Sequence, residues 1–493
     1  MNEMKNITLD MKKIKKIIFI LLLWLLFVGF YQTTKKLPQN LDFRGEERVI
    51  PVENIEFLYD LTYKNLNGKI ISEQRIFDEI FSLIEEANKY ILIDAFLFNS
   101  YTRQPDKIYR YLASELAERL VKKKEANPNI KIDFITDPIN TVYGGAINKE
   151  IERLKSIGVN MIVTHLKALP DSNPLYSAFW RTFIQWFGNS TSYGLIPHPF
   201  TGDEPKVTLR SYFDMLNFKA NHRKVFMADQ QKNVAVIITS GNPHDGSSAH
   251  SNVALKITGK LWQDVYDAEA AVAKLSGSEL QGPLQRLDKN IRLEAGHAKI
   301  VFLTENQIKK ELLDLIRETT ANDEINMALF YLADRQIIKE LVNASVRGAH
   351  IKVILDPNKD AFGFEKIGIP NRPVAEELIK RSKSKIRVRW YDTHGEQFHS
   401  KLAIIKQGKW ASLLLGSANF TRRNLNNYNL EANVSVTAED DALFIKAVAD
   451  YFDMIWYNRD GKYYTISYEA YKDESALKRI VYLIQEYAGL SSF

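Results

Sequence analysis

The sequence repeats one short stretch, HRKVFMAD at residues 222–229 and HSKLAIIK at residues 399–406, and the two copies begin 177 residues apart (399 − 222). An asparagine, Asn242 or Asn419, follows each histidine by 20 residues (242 − 222 and 419 − 399). Side chains alternate between the two faces of an extended strand, so the His and Lys of each stretch point to the same side. The repeat therefore predicts two related units, each presenting one His–Lys pair.

The similarity between the two halves extends to the residues around these stretches. Opening strands are predicted at 55–58 and 299–303, amphipathic helices at 76–88 and 308–321, and buried strands at 90–98 and 324–332. Further strands end at Asp137 and Asp356, each followed by proline, where we expect the aspartates to cap turns. Strands that alternate with helices indicate crossover connections. We therefore expect an α/β fold of two similar lobes, each a mixed sheet flanked by helices, related by pseudo-twofold symmetry.

Composition limits the classes of function. The chain has 493 residues, of which 45% are hydrophobic, and this is enough for large cores. Lys and Arg number 66 against 60 Asp and Glu, and this net charge of +6, without a long basic run, does not favour nucleic acid as a partner. Cysteine is absent, which excludes a disulfide framework, a thiolate nucleophile and a cysteine-based zinc site.

The amino-terminal region carries a membrane signal. Residues 17–31 contain no charged side chain and directly follow a cluster of lysines at 12, 13, 15 and 16. As a helix this run spans about 22 Å, short of a hydrocarbon core of about 30 Å unless neighbouring residues extend it. No small-residue cleavage site follows, so an uncleaved transmembrane anchor is favoured over a cleaved signal peptide or a buried soluble helix. The lysines predict a cytoplasmic amino terminus and a single-pass cell-membrane protein with its lobes on the extracytoplasmic side.

These observations divide the chain into three predicted segments. They are a membrane anchor at 1–36, a first lobe at 37–290 and a second lobe at 291–493. Near the carboxyl terminus, residues 442–457 and 476–487 have the period of amphipathic helices, which we expect to cover the core.

The first lobe carries an insert. Asp137 precedes His222 by 85 residues, whereas Asp356 precedes His399 by 43, so the first lobe holds 42 additional residues (85 − 43). Most of them lie at about 166–214, in a stretch with Trp and Phe beside Arg. The insert is interpreted either as a surface that contacts the membrane or acyl chains, or as a packed surface subdomain.

The duplicated residue types suit the handling of a phosphate group. A neutral imidazole can attack while a protonated one donates a proton, because the imidazole pKa lies near about 6.5. Two lysine ammonium groups would neutralise phosphoryl oxygens, and two asparagine amides would orient them. We expect His222 and His399 to face one site across the pseudo-twofold axis.

Taken together, these motifs resemble the signature of the phospholipase D superfamily, in which His-x-Lys, four residues, Asp and a Gly-Ser-x-Asn element occur twice. The resemblance covers both lobes, roughly residues 55–457. It implies a reaction through a phosphohistidine intermediate, without a cofactor or metal, in which one histidine attacks and the other serves as general acid and base.

The resemblance also implies roles for individual residues. It makes His222 the nucleophile and His399 the general acid and base, and the symmetry of the motifs also allows the reverse. The groups expected to hold phosphate oxygens are Lys224, Lys401, Asn242 and Asn419. The group expected to orient a histidine is Glu431, in preference to Asp245. The expected substrate contacts are Asp229, Ser240, Asn252 and Ser417.

The second copy departs from the pattern, because Lys406 stands where the motif has Asp. Asp229, which keeps the motif residue in the first copy, lies seven residues beyond His222, and this odd spacing on a strand predicts that it points away from the His–Lys face and acts as support. His244 and His250 are expected to be loop histidines rather than metal ligands.

We expect a membrane-anchored phospholipase D-type hydrolase or phosphatidyltransferase that acts on phospholipids and is similar to cardiolipin synthases. The expected partners are a phospholipid substrate and the lipid bilayer. One alternative is a nuclease of the same superfamily, and another is a catalytically degenerate lipid-binding protein, which the Lys406 substitution suggests. The motifs leave the headgroup, the acceptor and the oligomeric state open.

Overall fold

The computed structural model describes residues 11–103, 109–202, 204–231, 233–282, 296–361 and 364–490. These residues form two lobes, each built on one large mixed sheet, together with a long N-terminal helix. The expected boundary between the lobes, at residues 290 and 291, lies outside the described residues.

The sheet of the first lobe has seven strands, which are, in order across the sheet, Ile55–Tyr59, Val253–Thr258, Asn233–Thr239, Lys224–Gln230, Tyr90–Ala95, Lys131–Thr136 and Asn160–Val163. The last three are parallel and the other neighbours are antiparallel. The helices of this lobe are Ile76–Glu86, Leu112–Ala126, Lys149–Ser156 and Trp262–Leu275.

The sheet of the second lobe has nine strands, which are, in order across the sheet, Arg48–Pro51, His297–Thr304, Ala432–Glu439, Trp410–Gly416, Lys401–Gln407, Glu324–Leu329, His350–Leu355, Ile386–Tyr391 and Thr465–Ser467. The helices of this lobe are Glu305–Arg317, Arg335–Arg347, Asn371–Arg381 and Leu443–Tyr457. Its inner seven strands repeat the order and the directions of the first sheet. The predicted α/β duplication is confirmed.

The two sheets pack face to face, because side chains alternate along their central strands. Val225 and Met227 of the first lobe join Leu402 and Ile404 of the second in one buried cluster between the sheets. The intervening side chains, such as Phe226, pack under the helices on the outer faces. Each fully buried side chain of this size stabilises the fold by about 1.5–3 kcal/mol. The alternation of side chains thus gives the two lobes a shared core between their sheets.

Two short backbone bridges cross between the lobes in a reciprocal manner. Asn221 of the first lobe pairs in parallel with Leu430 of the second, and Ser251 of the first pairs in parallel with Phe398 of the second. Each bridge ends beside a motif histidine, since His222 follows Asn221 and His399 follows Phe398. This exchange is the structural form of the predicted pseudo-twofold symmetry.

The N-terminal helix Met11–Thr34 has 24 residues, and at about 1.5 Å per residue it spans about 36 Å, enough to cross a bilayer. It is longer than the apolar run because the flanking lysines are also helical. Its buried residues are Val28 and Gly29, near its C-terminal end.

The remaining helices lie in the insert, after the motif asparagine of the second lobe and at the carboxyl end. They are Pro174–Phe179, the π-type turn Trp180–Ile184, Leu209–Met215, Arg422–Leu425 and Ala476–Ala488. The helix Leu443–Tyr457 buries its apolar face, as expected for a helix that covers the core. The helix Ala476–Ala488 packs Tyr482, Val481 and Leu483 on the core of the second lobe, and it also exposes a second apolar face. An amphipathic period shows that two faces differ but not which of them packs inward.

Candidate active site

Both motif histidines reach one cavity between the lobes. The cavity has a volume of about 300 Å³, and its lining includes His222 and Asn242 from the first lobe and His399 and Asn419 from the second. Each histidine stands two residues before a central strand, Lys224–Gln230 or Lys401–Gln407. Because the two sheets have the same strand order and face each other, the equivalent strand ends meet at this cavity.

Each motif lysine is buried and held by the backbone of its own histidine. Lys224 Nζ donates a hydrogen bond to the carbonyl oxygen of His222 (2.7 Å), and Lys401 Nζ donates one to that of His399 (2.8 Å). Burial lowers the pKa of Lys224 to about 7, although Glu431 opposes the shift. Burial and the charge of Lys224 lower the pKa of Lys401 well below its ordinary value. Because burial makes both ammonium charges costly, an anion that binds beside them is favoured.

A phenylalanine completes each His–Lys pair, and sequence reasoning missed both. Lys224 Nζ lies 5.0 Å from the ring centroid of Phe96, and Lys401 Nζ lies 5.0 Å from that of Phe330. The same rings pack against the imidazoles of their lobes, with centroids 4.8 Å apart in the first lobe and 5.0 Å in the second. Both residues directly follow the equivalent strands Tyr90–Ala95 and Glu324–Leu329, so an alignment of the two halves could have found them.

A carboxylate from the second lobe orients the histidine of the first. His222 Nδ1 lies 2.9 Å from Glu431 Oε2, which also accepts a hydrogen bond from Ser417 Oγ (2.5 Å), while Asn424 Nδ2 donates to Oε1. Burial disfavours the charge of Glu431, but its interactions with His222, Lys224 and Ser417 outweigh burial and lower its pKa. An ionised Glu431 holds the proton on Nδ1 and makes Nε2 the basic nitrogen of His222. Burial lowers the pKa of His222 to about 4, so the imidazole is neutral at neutral pH.

The histidine of the second lobe has an amide in the equivalent position. His399 Nδ1 lies 3.3 Å from Asn252 Oδ1, which also accepts a hydrogen bond from Ser240 Oγ (3.3 Å). Burial, followed by the charge of Lys401, lowers the pKa of His399 well below its ordinary value. The two halves therefore match in geometry and differ in charge, since only His222 has a carboxylate partner. This inequality favours His222 as the nucleophile, because its partner stabilises the positive ring that an attack produces.

The four residues expected to contact substrate lie outside the cavity lining, and the structure gives each another contact. Ser240 and Ser417 hold Asn252 and Glu431, as described above. Asp229 accepts hydrogen bonds from the backbone N–H groups of residues 88–90, where the strand Tyr90–Ala95 begins. These contacts position the histidines or support the sheet.

The position of Lys406 is explained by local turn chemistry. In the first lobe, Asp229 closes the turn that enters strand Tyr90–Ala95. In the second lobe, the carboxylate of Asp323 accepts the N–H of Thr320 (2.7 Å) and closes the equivalent turn within its own segment. Lys406 lies outside the cavity lining. The second lobe therefore dispenses with the motif Asp without a change in the catalytic groups.

The aspartates that precede proline have a larger role than the expected cap. Asp137 Oδ2 accepts the N–H of Asn221 (2.7 Å), and Asp356 Oδ2 accepts the N–H of Phe398 (2.8 Å). Each also accepts an N–H from the turn that follows it. Burial raises the pKa of both carboxyls to about 7. The two carboxyl groups hold the backbone N–H of the residue before each histidine. The spacing of the sequence did not reveal this role.

The remaining candidates are held in loops. His244 Nε2 bonds the carbonyl oxygen of Tyr101 (2.8 Å), and His250 Nδ1 accepts the N–H of Gln397 (3.2 Å). Asp245 accepts the N–H of Ala113, at the start of a helix, and does not orient a histidine. Within the described part of the chain, no cluster of His, Asp and Glu has an arrangement that could hold a metal ion.

Comparisons with known proteins bear on the second lobe and on the fold. Residues 312–456, in the second lobe, match the family model described as cardiolipin synthase, phospholipase D-like domain. A search of curated proteins gave no match. The solved structure of phosphatidylserine synthase from Haemophilus influenzae Rd KW20 is similar with a TM-score of 0.58 and 12% identity, over 92% of this chain and 97% of that one. Polyphosphate kinase from Porphyromonas gingivalis gives a TM-score of 0.46 and 13% identity, over 87% of this chain and 52% of that one.

The likeness to the synthase shows a shared fold along nearly the whole chain. The matched residues lie within the second lobe, and the first lobe repeats its strand order and its His-x-Lys motif. The second lobe therefore contains a phospholipase D-like domain, and the first lobe has the same fold.

Proposed function

We propose that the protein is a membrane-anchored phosphatidyltransferase or phospholipase D-type hydrolase that acts on phospholipids through a phosphohistidine intermediate. The observation that carries this proposal is the convergence of two His–Asn pairs on one cavity, each with a buried lysine bonded to the backbone of its histidine, while only His222 is paired with a carboxylate. The similarity of residues 312–456 to cardiolipin synthases supports a phospholipid substrate.

In the first half of the proposed reaction, His222 Nε2 attacks the phosphorus and forms a P–N bond. The bond from phosphorus to the leaving alcohol breaks, and His399 donates the proton that this alcohol takes up. The bound phosphodiester anion raises the pKa of His399 and so favours the protonated form that this step requires. Glu431 stabilises the positive charge on the substituted ring of His222, while Lys224 and Lys401 stabilise the phosphoryl oxygens.

In the second half, neutral His399 removes a proton from an acceptor hydroxyl. The acceptor oxygen attacks phosphorus, the P–N bond breaks, and His222 returns to its neutral form. Water as acceptor gives hydrolysis, whereas an alcohol such as phosphatidylglycerol gives transfer and a cardiolipin-type product. The same groups serve both outcomes, so the acceptor decides the product.

The helix Met11–Thr34 supports attachment to the cell membrane by a single span. The lysines in its first turns favour a cytoplasmic amino terminus and, with it, lobes on the extracytoplasmic side. Apolar side chains at the cavity, Phe200, Met215 and Phe218, offer contacts for the part of a lipid next to its phosphate.

The test is lipid mass spectrometry after the full-length protein is incubated with vesicles of labelled phosphatidylglycerol. We expect labelled cardiolipin or phosphatidic acid from the wild type and neither from His222→Ala or His399→Ala. Single-stranded DNA is offered in a parallel reaction. Cleavage of the DNA that His222→Ala abolishes, with the lipid unchanged, would instead establish the nuclease. Vesicle binding without any phosphohistidine would establish a degenerate lipid-binding protein.

A further inference from the structure

Two segments beside the N-terminal helix expose large apolar side chains. The first, here the insert patch, consists of Phe179, Phe183, Trp186 and Phe187. The second, here the C-terminal stripe, consists of Leu477, Ile480, Ile484 and Tyr487, which share one face of the helix Ala476–Ala488. Trp186 is 75% exposed and Ile484 is 55% exposed. Apolar side chains clustered in this way mark a surface that contacts a partner or a membrane.

The insert patch is fixed at the C-terminal end of the N-terminal helix. A Cβ atom at Gly29 would lie 2.8 Å from the carbonyl oxygen of Pro174 and 3.5 Å from Cβ of Ala178, so glycine permits the close approach of the two helices. Asp171 N donates a hydrogen bond to the carbonyl oxygen of Gln32 (2.9 Å). Gly29 stands two residues before Tyr31, the last residue of the apolar run, which is about 3 Å along the helix axis. A membrane-spanning helix therefore holds the insert at the depth of the bilayer interface.

The C-terminal stripe ends at the same place. A Cβ atom at Gly489, whose φ is +66°, would clash with the carbonyl oxygen of Ser172, so the chain after the helix touches the start of the insert. Arg423 joins the two segments, because its Nη1 donates to Ser172 Oγ (2.8 Å) and its Nη2 donates to the carbonyl oxygen of Gly489 (3.0 Å). Ser172 is two residues from Pro174, which packs on the N-terminal helix.

The catalytic cavity is linked to both segments through Arg423, which contacts Ser172 at the start of the insert and Gly489 after the C-terminal helix. Arg423 also lines the cavity, as do Met215 and Phe218, which follow the insert. The cavity volume of about 300 Å³ is at the low end of the range of about 300–1,000 Å³ for small-molecule sites. It accommodates a phosphate with its headgroup, so the acyl chains of a phospholipid need an apolar place outside it.

We propose that the insert patch and the C-terminal stripe form one bilayer-contacting surface, on which a phospholipid keeps its acyl chains while its phosphate enters the catalytic cavity. This inference rests on the membrane anchor of the proposed function. A lipid surface is favoured over a second copy of the chain because both segments are tied to the end of the helix that enters the bilayer. The C-terminal helix then covers the core with one face and lies in the bilayer interface with the other.

Depth-dependent quenching tests the contact without requiring catalysis. The chain has no cysteine, so single substitutions Trp186→Cys, Ile484→Cys and Val346→Cys each carry one environment-sensitive fluorophore. Val346 is the matched control, since it is an apolar residue that is 69% exposed on a helix of the second lobe. In full-length protein reconstituted into vesicles with brominated acyl chains, the labels at 186 and 484 should lose most of their fluorescence, and the label at 346 should keep it. Equal fluorescence at 484 and 346 would overturn the proposal. Energy transfer between the labels at 484 of two protein molecules, without quenching by the brominated lipid, would also overturn it.

Activity provides a second measurement. Ile484→Asp should lower the ratio of turnover on vesicles to turnover on a monomeric short-chain phospholipid by about tenfold or more, because a charge replaces a buried apolar contact with lipid. Val346→Asp should leave that ratio unchanged. An unchanged ratio in Ile484→Asp would count against the surface. If no phospholipid is turned over at all, the proposed function fails, and the quenching result still decides whether the surface contacts the bilayer.

Discussion

Replacing Glu431 with glutamine removes the charge behind His222 and keeps nearly the same shape. The Glu431 carboxylate is fully buried and lies 2.9 Å from His222 Nδ1. A hydrogen bond to a charged group contributes about 1.5–3 kcal/mol, which corresponds to about 10–10²-fold in rate. The amide also ceases to fix the Nδ1–H tautomer, and the comparable Asp→Asn change in a serine protease lowers kcat by about 10⁴. We therefore expect kcat/KM of Glu431→Gln to fall by about 10²–10⁴.

The assay is phosphatidylglycerol turnover in vesicles by the full-length protein, at a pH where His222 is neutral and Lys224 is charged. Glu439→Gln is the matched control, because Glu439 ends the strand that follows Glu431, Ala432–Glu439, and pairs with Lys409 at the surface. Thermal unfolding of both variants separates a chemical effect from a loss of fold. A Glu431→Gln variant that folds normally and retains kcat/KM within about threefold of wild type would refute the role of Glu431.

Three further predictions concern the charges around the cavity. The pH profile of kcat/KM should have its maximum between about pH 4 and about pH 7. Below this range His222 is protonated and cannot attack, and above it Lys224 loses its charge. A kcat/KM that keeps rising above neutral pH would contradict this prediction. Lys224→Met and Lys401→Met should each lower kcat/KM in the vesicle assay by about 10²–10³, because each removes a charge that stabilises the phosphoryl oxygens. A decrease of less than tenfold would count against this role of the lysines. Lys406→Asp, which restores the motif residue outside the cavity, should stay within about threefold of wild type, and a large gain in rate would show that Lys406 limits catalysis.

The duplication could be predicted from the sequence because both lobes repeat local signals in the same order. The strands predicted to begin at residues 90 and 324, and the helices between strands, depend on patterns within short windows, and the structure contains them. Glu431 was expected to orient a histidine, and the structure places it there. Its partner is the histidine of the other lobe, which follows from how the lobes face each other and not from any spacing in the chain.

Other features depend on contacts between distant residues. The strand Arg48–Pro51 pairs with His297–Thr304 of the second sheet, although in the chain it directly precedes the strands of the first sheet. Asn252, expected to touch substrate, instead bonds His399 across the lobe interface. The apolar face of Ala476–Ala488 is exposed because Tyr482 and Glu486 of the same helix pack inward. Local periodicity contains no information on any of these pairings.

The phosphoenzyme tests the central claim most directly. His399→Ala, incubated with a phosphatidyl ester of p-nitrophenol, bypasses the need for a general acid, because this leaving group departs without a proton. Without His399 to activate the acceptor, the intermediate should accumulate, and peptide mass spectrometry after an alkaline quench should find one phosphatidyl group on His222. A phosphatidyl group on another residue, or none while p-nitrophenol is released, would contradict nucleophilic attack by His222.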